Sequence, residues 1–218
     1  MVTLTRIFSI LLFASFYYSC GPLDPNKQID QGNVSENIYT NEEIGWTIEI
    51  PEGWQVMSRD QLDKNLEQGS EAVEEALGAE IDYSQLKYLI SFQKNPFNIF
   101  QSSAEKFELT YENEWEENNE KLKEILYETY AQQGIPADTS SSSMKIDDLE
   151  FKVFHIKISG ADGELLLTQE VYSRYINGYD FSVNINYNNQ EDKESMMEVW
   201  RNSRFRKVDK ALKLKPMP

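Results

Sequence analysis

A two-residue turn in the C-terminal half constrains the fold more than any other feature of this sequence. Asn177-Gly178 is typical of a type I′ turn, because both of its central residues need a positive φ, and it therefore predicts a tight antiparallel hairpin. After the turn, Tyr179 to Tyr187 alternates apolar and polar residues without interruption. Such alternation predicts a strand with one buried face and one polar face, in an antiparallel sheet.

Two further strands are predicted before the Asn177-Gly178 turn, at Leu149–Ser159 and Leu165–Ile176, and the second of them is the first strand of the hairpin. In the first of them the apolar parity shifts between Val153 and Phe154, which indicates a β-bulge. Residues 138–143 are aspartate, threonine and serine, which predicts a loop in front of the strands.

The folded body is expected to start near residue 37, with a first strand at 44–50 whose apolar residues share one parity. Pro51-Glu52-Gly53 ends this strand, because proline lacks a backbone donor and glycine accepts the positive φ of a tight turn. We expect Trp46 and Trp54, on the two sides of the turn, to lie in the core. Another strand is predicted at 86–92.

Three helices are predicted from spacing and end signals. They cover 60–77 with an interruption near Gly69-Ser70, 112–133, which is the longest, and 191–202. Residues 97–107 are mixed in character and receive no assignment.

The N-terminal residues differ in composition from the rest of the chain. Residues 1–19 combine one basic residue with an apolar run that is too short to span a bilayer, which is typical of a secretory signal. Ser19-Cys20-Gly21 resembles a bacterial lipobox, although Tyr17 stands where a lipobox usually has leucine. Cys20 is therefore the predicted lipidation site, with an ordinary signal peptide as the alternative. Residues 20–36 are then a flexible tether.

The charge and the scarce reactive side chains limit the possible chemistry. A formal net charge of −16 argues against nucleic acid as a partner. His155 is the only histidine, and Cys20, the only thiol, belongs to the predicted anchor. We therefore assign no catalytic residue, metal ligand or cofactor. The acids at 112–120 and the polar face of 180–188 leave Ca²⁺ or a small ligand as alternatives.

Three segments carry a resemblance to a known fold family. Ile48-Glu49-Ile50-Pro51-Glu52-Gly53-Trp54, Tyr175-Ile176-Asn177-Gly178-Tyr179 and Ser203-Arg204-Phe205 occur in this order. Together they resemble the PsbP-like family, which includes an extrinsic photosystem II subunit and small bacterial envelope lipoproteins. The resemblance implies an α+β fold in one domain, an antiparallel β-sheet flanked by helices, over residues 37–206, with 207–218 as a basic tail.

These expectations combine into one functional prediction. The chain is predicted to be a lipid-anchored protein of the bacterial cell envelope, at the outer membrane, that acts as a non-catalytic binding or scaffold module. Its predicted partners are the membrane, through the lipid on Cys20, and a protein of the envelope. The alternative is an envelope protein that binds Ca²⁺ or a small ligand.

Overall fold

The computed structural model describes residues 31–78, 85–160 and 162–207. The predicted signal peptide, Cys20, most of the predicted tether and residues 208–218 of the predicted tail lie outside these ranges. In chain order the elements are β1 (Asn33–Ser35), β2 (Ile38–Asn41), β3 (Trp46–Glu49), β4 (Gln55–Val56), α1 (Arg59–Leu77), β5 (Lys87–Asn95), β6 (Asn98–Lys106), α2 (Glu114–Gln132), β7 (Ala137–Ile146), β8 (Leu149–Ser159), β9 (Leu165–Ile176), β10 (Tyr179–Tyr187), α3 (Gln190–Arg201) and β11 (Arg204–Phe205).

The strands form two antiparallel sheets. Within the described ranges, the large sheet has seven strands in the order β4-β5-β6-β10-β9-β8-β7, and the small sheet has four in the order β1-β2-β3-β11. With helices packed on the sheets, the chain forms one α+β domain, as predicted. The small sheet includes β1, so ordered structure reaches back to residue 33, within the segment predicted as tether.

One face of the large sheet, which we call the aromatic face, is covered by α3 and the small sheet. Trp46 and Trp200 are fully buried there, with ring centroids 6.2 Å apart. Trp46 also lies 5.1 Å from the Phe181 ring, and its indole N–H donates to Ser203 Oγ at 3.2 Å. The prediction that Trp46 and Trp54 lie in the core is confirmed.

The opposite face of the large sheet, the α2 face, lies under helix α2. Alternation along β10 separates the two faces: Phe181 and Val183 are buried on the aromatic face, whereas Asp180 and Ser182 point the other way. The predicted hairpin before β10 is confirmed, with Asn177 at φ 54° and Gly178 at φ 91°.

Helix α1 is continuous from Arg59 to Leu77, so the predicted interruption near Gly69-Ser70 is wrong. Its two ends are well defined, because Ser58 and Gln61 form a capping box and Gly78 closes the helix with φ 64°. A glycine in a helix interior destabilises the helix by only about 1 kcal/mol relative to alanine. The capping interactions at the two ends of α1 offset this cost.

The predicted loop at 138–143 is also wrong, because these residues belong to strand β7. Their side chains are poor strand formers, but the backbone pairs with β8 in continuous register from Ala137 to Ile146. Polar residues are typical of such an edge position in a sheet. Residues 97–107, left unassigned from sequence, contain β6.

The predicted bulge between Val153 and Phe154 is absent. Both residues keep regular register with both neighbouring strands, with Val153 opposite Tyr172 and Phe154 opposite Val171. Phe154 lies on the α2 face, which is covered by α2. Successive residues Val153 and Phe154 are therefore both buried, although they point to opposite faces of the sheet. The register shift in this strand pair occurs at Ile158/Ser159.

Among the described residues, no helix combines the length and the apolar character that crossing a membrane requires.

Candidate ligand-binding cavity

Helix α2 is held to the large sheet near each of its ends. Near its start the Trp115 indole N–H donates to Asp180 Oδ1 at 2.8 Å. Near its end the Tyr130 hydroxyl donates to Gln169 Oε1 at 2.9 Å. Asp180 lies at the start of β10, and Gln169 pairs with Asn186 near its end. The helix therefore runs along β10 and is fixed to the sheet at both ends.

Between these two attachments, α2 and the sheet enclose a cavity of about 400 Å³. Ligand pockets in proteins typically measure about 300–1,000 Å³. The cavity is lined by residues of α2, of β6, β8, β9 and β10, and of the chain just before β5: Leu86, Ser103, Glu105, Asn119, Leu122, Lys123, Ile125, Leu126, Phe154, Val171, Ser173, Asp180 and Ser182.

The floor of the cavity changes from polar to apolar along the strands. At the Trp115 end, Asp180 stands opposite Glu105 in the register of β10 and β6. The next polar row contains Ser182 and Ser103, whose Oγ atoms form a 2.9 Å hydrogen bond. The row beyond contains Asn184 of β10, Val171 of β9 and Phe154 of β8, and of these Val171 and Phe154 line the cavity. A molecule in the cavity therefore meets polar groups at one end and hydrocarbon farther along.

The roof of the cavity follows the same division. Asn119, nearer the Trp115 end of α2, is only 5% exposed, and its Oδ1 has no hydrogen-bond partner. One and two turns farther along the helix, Leu122, Ile125 and Leu126 supply apolar surface. A buried acceptor without a donor is unusual in a folded protein, since burial removes it from water. Asn119 Oδ1 is therefore a buried, unsatisfied acceptor near this end of the roof.

The charges around the cavity are mainly negative. Burial raises the pKa of Asp180, and the hydrogen bond from Trp115 opposes this shift without cancelling it. Lys123 also lines the cavity, but its Nζ lies 2.8 Å from Glu120 Oε1. Among the described lining residues Lys123 is the one lysine, and it is already paired with a carboxylate of its own helix.

A second polar cluster lies on the aromatic face, around buried Glu170. Its carboxylate accepts hydrogen bonds from the hydroxyls of Tyr172 at 2.5 Å and Tyr187 at 2.8 Å, and Lys193 Nζ lies 3.4 Å away. Burial by itself would raise the pKa of Glu170, but these hydrogen bonds and the nearby positive charge together lower it. Glu170 is therefore a satisfied, structural carboxylate.

His155 joins this cluster and not the cavity. Its Nε2 lies 2.7 Å from Ser142 Oγ, and its Nδ1 lies 3.9 Å from Glu170 Oε1. The order serine, histidine, carboxylate is that of a hydrolytic triad, but 3.9 Å is too long for the hydrogen bond that orients the imidazole. Because Phe154 faces the cavity and strand residues alternate, His155 faces the other side of the sheet.

Three of the five acids predicted as possible Ca²⁺ ligands at 112–120 have partners within their own region. Glu114 accepts from the Thr110 hydroxyl at 2.9 Å, Glu117 from the Tyr111 hydroxyl at 3.0 Å, and Glu120 pairs with a lysine. Across the described ranges, no group of three or more histidine, cysteine, aspartate or glutamate side chains has the arrangement of a metal site. Of the polar face predicted at 180–188, Asp180 and Ser182 line the cavity.

The architecture has a counterpart among solved structures. The solution structure of cyanobacterial PsbP (CyanoP) from Synechocystis sp. PCC 6803 superposes with a TM-score of 0.51 at 9% sequence identity, covering 86% of this chain and 98% of that one. This chain has a PsbP-like fold. At 9% identity, the similarity between this PsbP-like domain and the cyanobacterial protein shows a shared fold and nothing further. The sequence matches no protein-family model and no curated protein.

Sequence reasoning did not find the cavity in this PsbP-like domain. Its polar end was visible as the alternating residues of β10, but its apolar end was misread as a bulge at Phe154. Apolar residues on both parities of a strand indicate a strand covered on both faces, and that signal was present in the sequence.

Proposed function

We propose that this protein is a non-catalytic binding module, anchored in the bacterial cell envelope by a lipid on Cys20 and located at the outer membrane. The observation that carries the binding role is the cavity of about 400 Å³ between α2 and the large sheet, with its polar and apolar parts. In this proposal, residues 1–19 direct export, 20–36 tether the domain, and 207–218 form a basic tail.

A binding role rather than a catalytic one is supported by the placement of the reactive side chains. The only histidine of the chain lies on the face of the sheet opposite the cavity. Among the described residues, the cavity lining offers serine hydroxyls, an amide, carboxylates and Lys123, which is paired with Glu120, but no imidazole that could act as a general base at neutral pH. Such a lining is suited to holding a molecule in a fixed orientation.

We propose that an envelope protein binds the outer surface of this domain. Leu165 and Leu166, just after the β8–β9 turn, are 58% and 52% exposed. Adjacent exposed leucines are an apolar point of contact that a partner can cover. Replacing Leu166 with glutamate should abolish crosslinking to such a partner, whereas glutamate at exposed Leu109 should not.

The binding role is tested by filling the cavity. Leu126→Trp adds an indole to the cavity, and Tyr127→Trp adds one at the neighbouring position on α2, which is exposed. The uncharged fluorophore N-phenyl-1-naphthylamine should raise the unfolding midpoint of the full chain and of the Tyr127→Trp variant, because ligands stabilise the folded state they bind. The shift should vanish in Leu126→Trp. Equal shifts in both variants would show that the probe binds elsewhere.

The anchor is tested in cells. Cys20→Ala should release the protein from the membrane fraction and prevent incorporation of a labelled fatty acid, since the lipidated thiol is gone. Ser19→Ala serves as the control, because it keeps the cysteine and a small residue before it. Retention of Cys20→Ala in the membrane pellet would contradict lipid anchoring while leaving the cavity proposal intact.

A further inference from the structure

We propose that strand β7 pairs with β7 of a second copy of this chain, joining two large sheets edge to edge in an antiparallel dimer. In this dimer the two-fold axis passes between the two copies of Ser141. Among the described residues, β7 contributes none to the cavity lining, so the dimer is independent of the binding role proposed for the cavity.

Strand β7 is a long, open edge. It is the outermost strand of the large sheet and spans ten residues in unbroken register with β8. The other edge strands of the described sheets, β1, β4 and β11, have three, two and two residues. Proteins commonly prevent association between sheet edges by short edge strands, prolines, bulges or charges. From Thr139 to Met144, β7 has none of these features.

The backbone of β7 directs hydrogen-bonding groups outward at every second residue. The Ser159 N–H donates to the Pro136 carbonyl at 3.0 Å, which makes these two residues a hydrogen-bonded pair. In an antiparallel ladder such pairs recur at every second position, so the even-numbered residues of β7 bond to β8. The odd-numbered residues direct their N–H and C=O groups away from the sheet: Ala137, Thr139, Ser141, Ser143 and Lys145. Among the described strands, none pairs with this edge.

The edge is symmetric about Ser141. The five outward residues are centred on it, and so is the run of hydroxyl side chains from Thr139 to Ser143. Pairing centred there places Ser141 opposite Ser141, Thr139 opposite Ser143, and Ser140 opposite Ser142 of the second copy. Each outward N–H then meets an outward carbonyl, and each of these hydroxyls meets another hydroxyl, a favourable cross-strand pair.

The charges of β7 do not oppose this register. Asp138 would stand opposite Met144 of the second copy, and Lys145 opposite Ala137, so no two like charges of β7 face each other. Residues 138–143 are exposed, and the pairing therefore requires no rearrangement of the described structure.

The edge is suited to a second copy rather than to a strand of another protein. Sheets that recruit a foreign strand select it through pockets that receive its alternate side chains. The hydroxyl side chains from Thr139 to Ser143 are too short to form the walls of such pockets. A second copy needs no pockets, because a two-fold axis brings the same surface of both subunits together.

The geometry of the dimer is compatible with anchoring in one membrane. Antiparallel strands of one sheet are related by a two-fold axis perpendicular to that sheet, so both small sheets lie on the same side of the joined sheet. Each small sheet contains β1, close to the first described residue. The N-terminal segments of both copies therefore leave from one side of the dimer.

The test measures the mass and the amide exchange of the purified full-length protein in excess detergent. Sedimentation equilibrium should show a concentration-dependent dimer with a Kd on the order of 10–100 µM, because one pair of edge strands is a small interface. Hydrogen exchange at the outward amides of Thr139, Ser141 and Ser143 should slow as the protein concentration rises. The amides of Ser140 and Ser142, which bond to β8, should be protected at every concentration.

A proline at the two-fold axis separates the dimer from the fold. Ser141→Pro removes only an outward N–H, and edge strands accept proline at such positions. It should weaken the dimer roughly 5- to 100-fold, because both hydrogen bonds of the central pair are lost. Ser141→Thr, which keeps the N–H and a hydroxyl, is the matched control and should change Kd by less than about 2-fold.

A charge exchange keeps the test decisive even if the proline variant does not fold. Ser141→Lys and Ser141→Glu each place two like charges opposite each other and should weaken their own dimers roughly 2- to 5-fold. An equimolar mixture of the two variants should form the mixed dimer preferentially, because lysine then faces glutamate.

Three results would overturn the pairing of β7 with β7. The first is a protein that stays monomeric at all concentrations, with fast exchange at the outward amides. The second is a dimer with unchanged Kd in Ser141→Pro, since the copies would then associate through another surface. The third is protection that is independent of concentration and disappears when residues 208–218 are deleted, which would show that the C-terminal residues of the same chain cover the edge.

Discussion

The two faces of the large sheet are built from the same strands but packed in opposite ways. On the aromatic face, Trp200 has ring contacts with Phe151 at 5.1 Å and Tyr172 at 5.6 Å. On the α2 face, a cavity of about 400 Å³ separates helix from sheet. The described residues contain four buried side-chain atoms without a hydrogen-bond partner, and three of them, in Asn119, Asn184 and Asn186, lie on the α2 face or on the helix above it.

The difference teaches how one sheet can serve two purposes. A face filled by interlocking rings gains dispersion and hydrophobic energy from many contacts, which makes it the source of stability. A face with a cavity and with unsatisfied hydrogen-bond acceptors gains less of this packing and hydrophobic energy. The cavity on the α2 face is the reason why the proposed binding role is assigned to that face.

The largest expected effect comes from a matched pair of phenylalanines on β8. Phe151 faces the aromatic side, and Phe154 faces the cavity. Phe151→Ala should reduce the free energy of unfolding by about 3–5 kcal/mol, the usual cost in a filled core. Phe154→Ala should cost roughly half of that, because its ring already borders empty space. Equal losses in urea denaturation would contradict the contrast between the faces.

The next effect is expected at Glu170 on the aromatic face. Glu170→Gln removes the negative charge that two tyrosine hydroxyls and Lys193 surround, and should cost about 1–3 kcal/mol at neutral pH. Since the folded-state pKa of Glu170 is lowered, its contribution is present above the unfolded pKa and is lost as the pH falls through the folded pKa.

Denaturation at several pH values checks this prediction, and the gap between wild type and Glu170→Gln should shrink in acid. The exposed Glu191→Gln on α3 is the control, for which a change within about 0.5 kcal/mol is expected. A gap that stays constant down to acidic pH would show that the charge of Glu170 is not what stabilises the fold.

A smaller effect, of opposite sign, is expected at Asp180 on the α2 face. Because burial raises its pKa, the folded state holds its proton more tightly, and stability falls as the pH rises through the interval above the unfolded pKa. Asp180→Asn removes this loss and keeps an acceptor for Trp115, so it should stabilise the protein at neutral pH by about 0.5–1 kcal/mol.

Thermal unfolding at neutral and acidic pH measures the effect, and the gain should disappear below the unfolded pKa. Asp180→Ala, which also removes the acceptor, should be less stable than Asp180→Asn. If Asp180→Asn is instead destabilising at neutral pH, the carboxylate is favoured in its charged form, and the electrostatic argument for the cavity is wrong.

The smallest effect is expected at Ser142, whose hydroxyl lies 2.7 Å from His155. Ser142→Ala, at an exposed position of β7, should change stability by less than about 0.5 kcal/mol. A fluorophosphonate probe should not label the wild-type protein, because the His155 imidazole donates no hydrogen bond to a carboxylate. Labelling that disappears in Ser142→Ala would reveal a reactive serine and contradict the non-catalytic assignment.

Elements with strong local signals were predictable from the sequence. The Asn177-Gly178 turn, the Pro51 to Gly53 turn and the regular alternation of β10 were confirmed because their backbone requirements are satisfied by neighbouring residues. The segment at 138–143 was not predictable in this way. Its strand exists because β8 offers a full row of hydrogen-bond partners, and no property of the serines themselves requires it.

The cavity was still less accessible from the sequence. Asp180, Asn119 and Phe154 lie on three separate elements, and their spacing in the sequence does not indicate that they line one cavity. The two hydrogen bonds that hold α2 each join residues far apart in the chain, Trp115 to Asp180 and Tyr130 to Gln169. Their pairing depends on the order of the strands.

By itself, the sequence of this protein determined the turns and most of the main strands and helices, because these depend on local backbone preferences and on the periodicity of apolar residues. The α+β class was implied by the resemblance of three of its segments to a known fold family. Only the tertiary structure decided which face of the large sheet is filled and which is left open. That outcome depends on how α2 is fixed at its two ends over a floor of small polar side chains, which is a matter of long-range geometry.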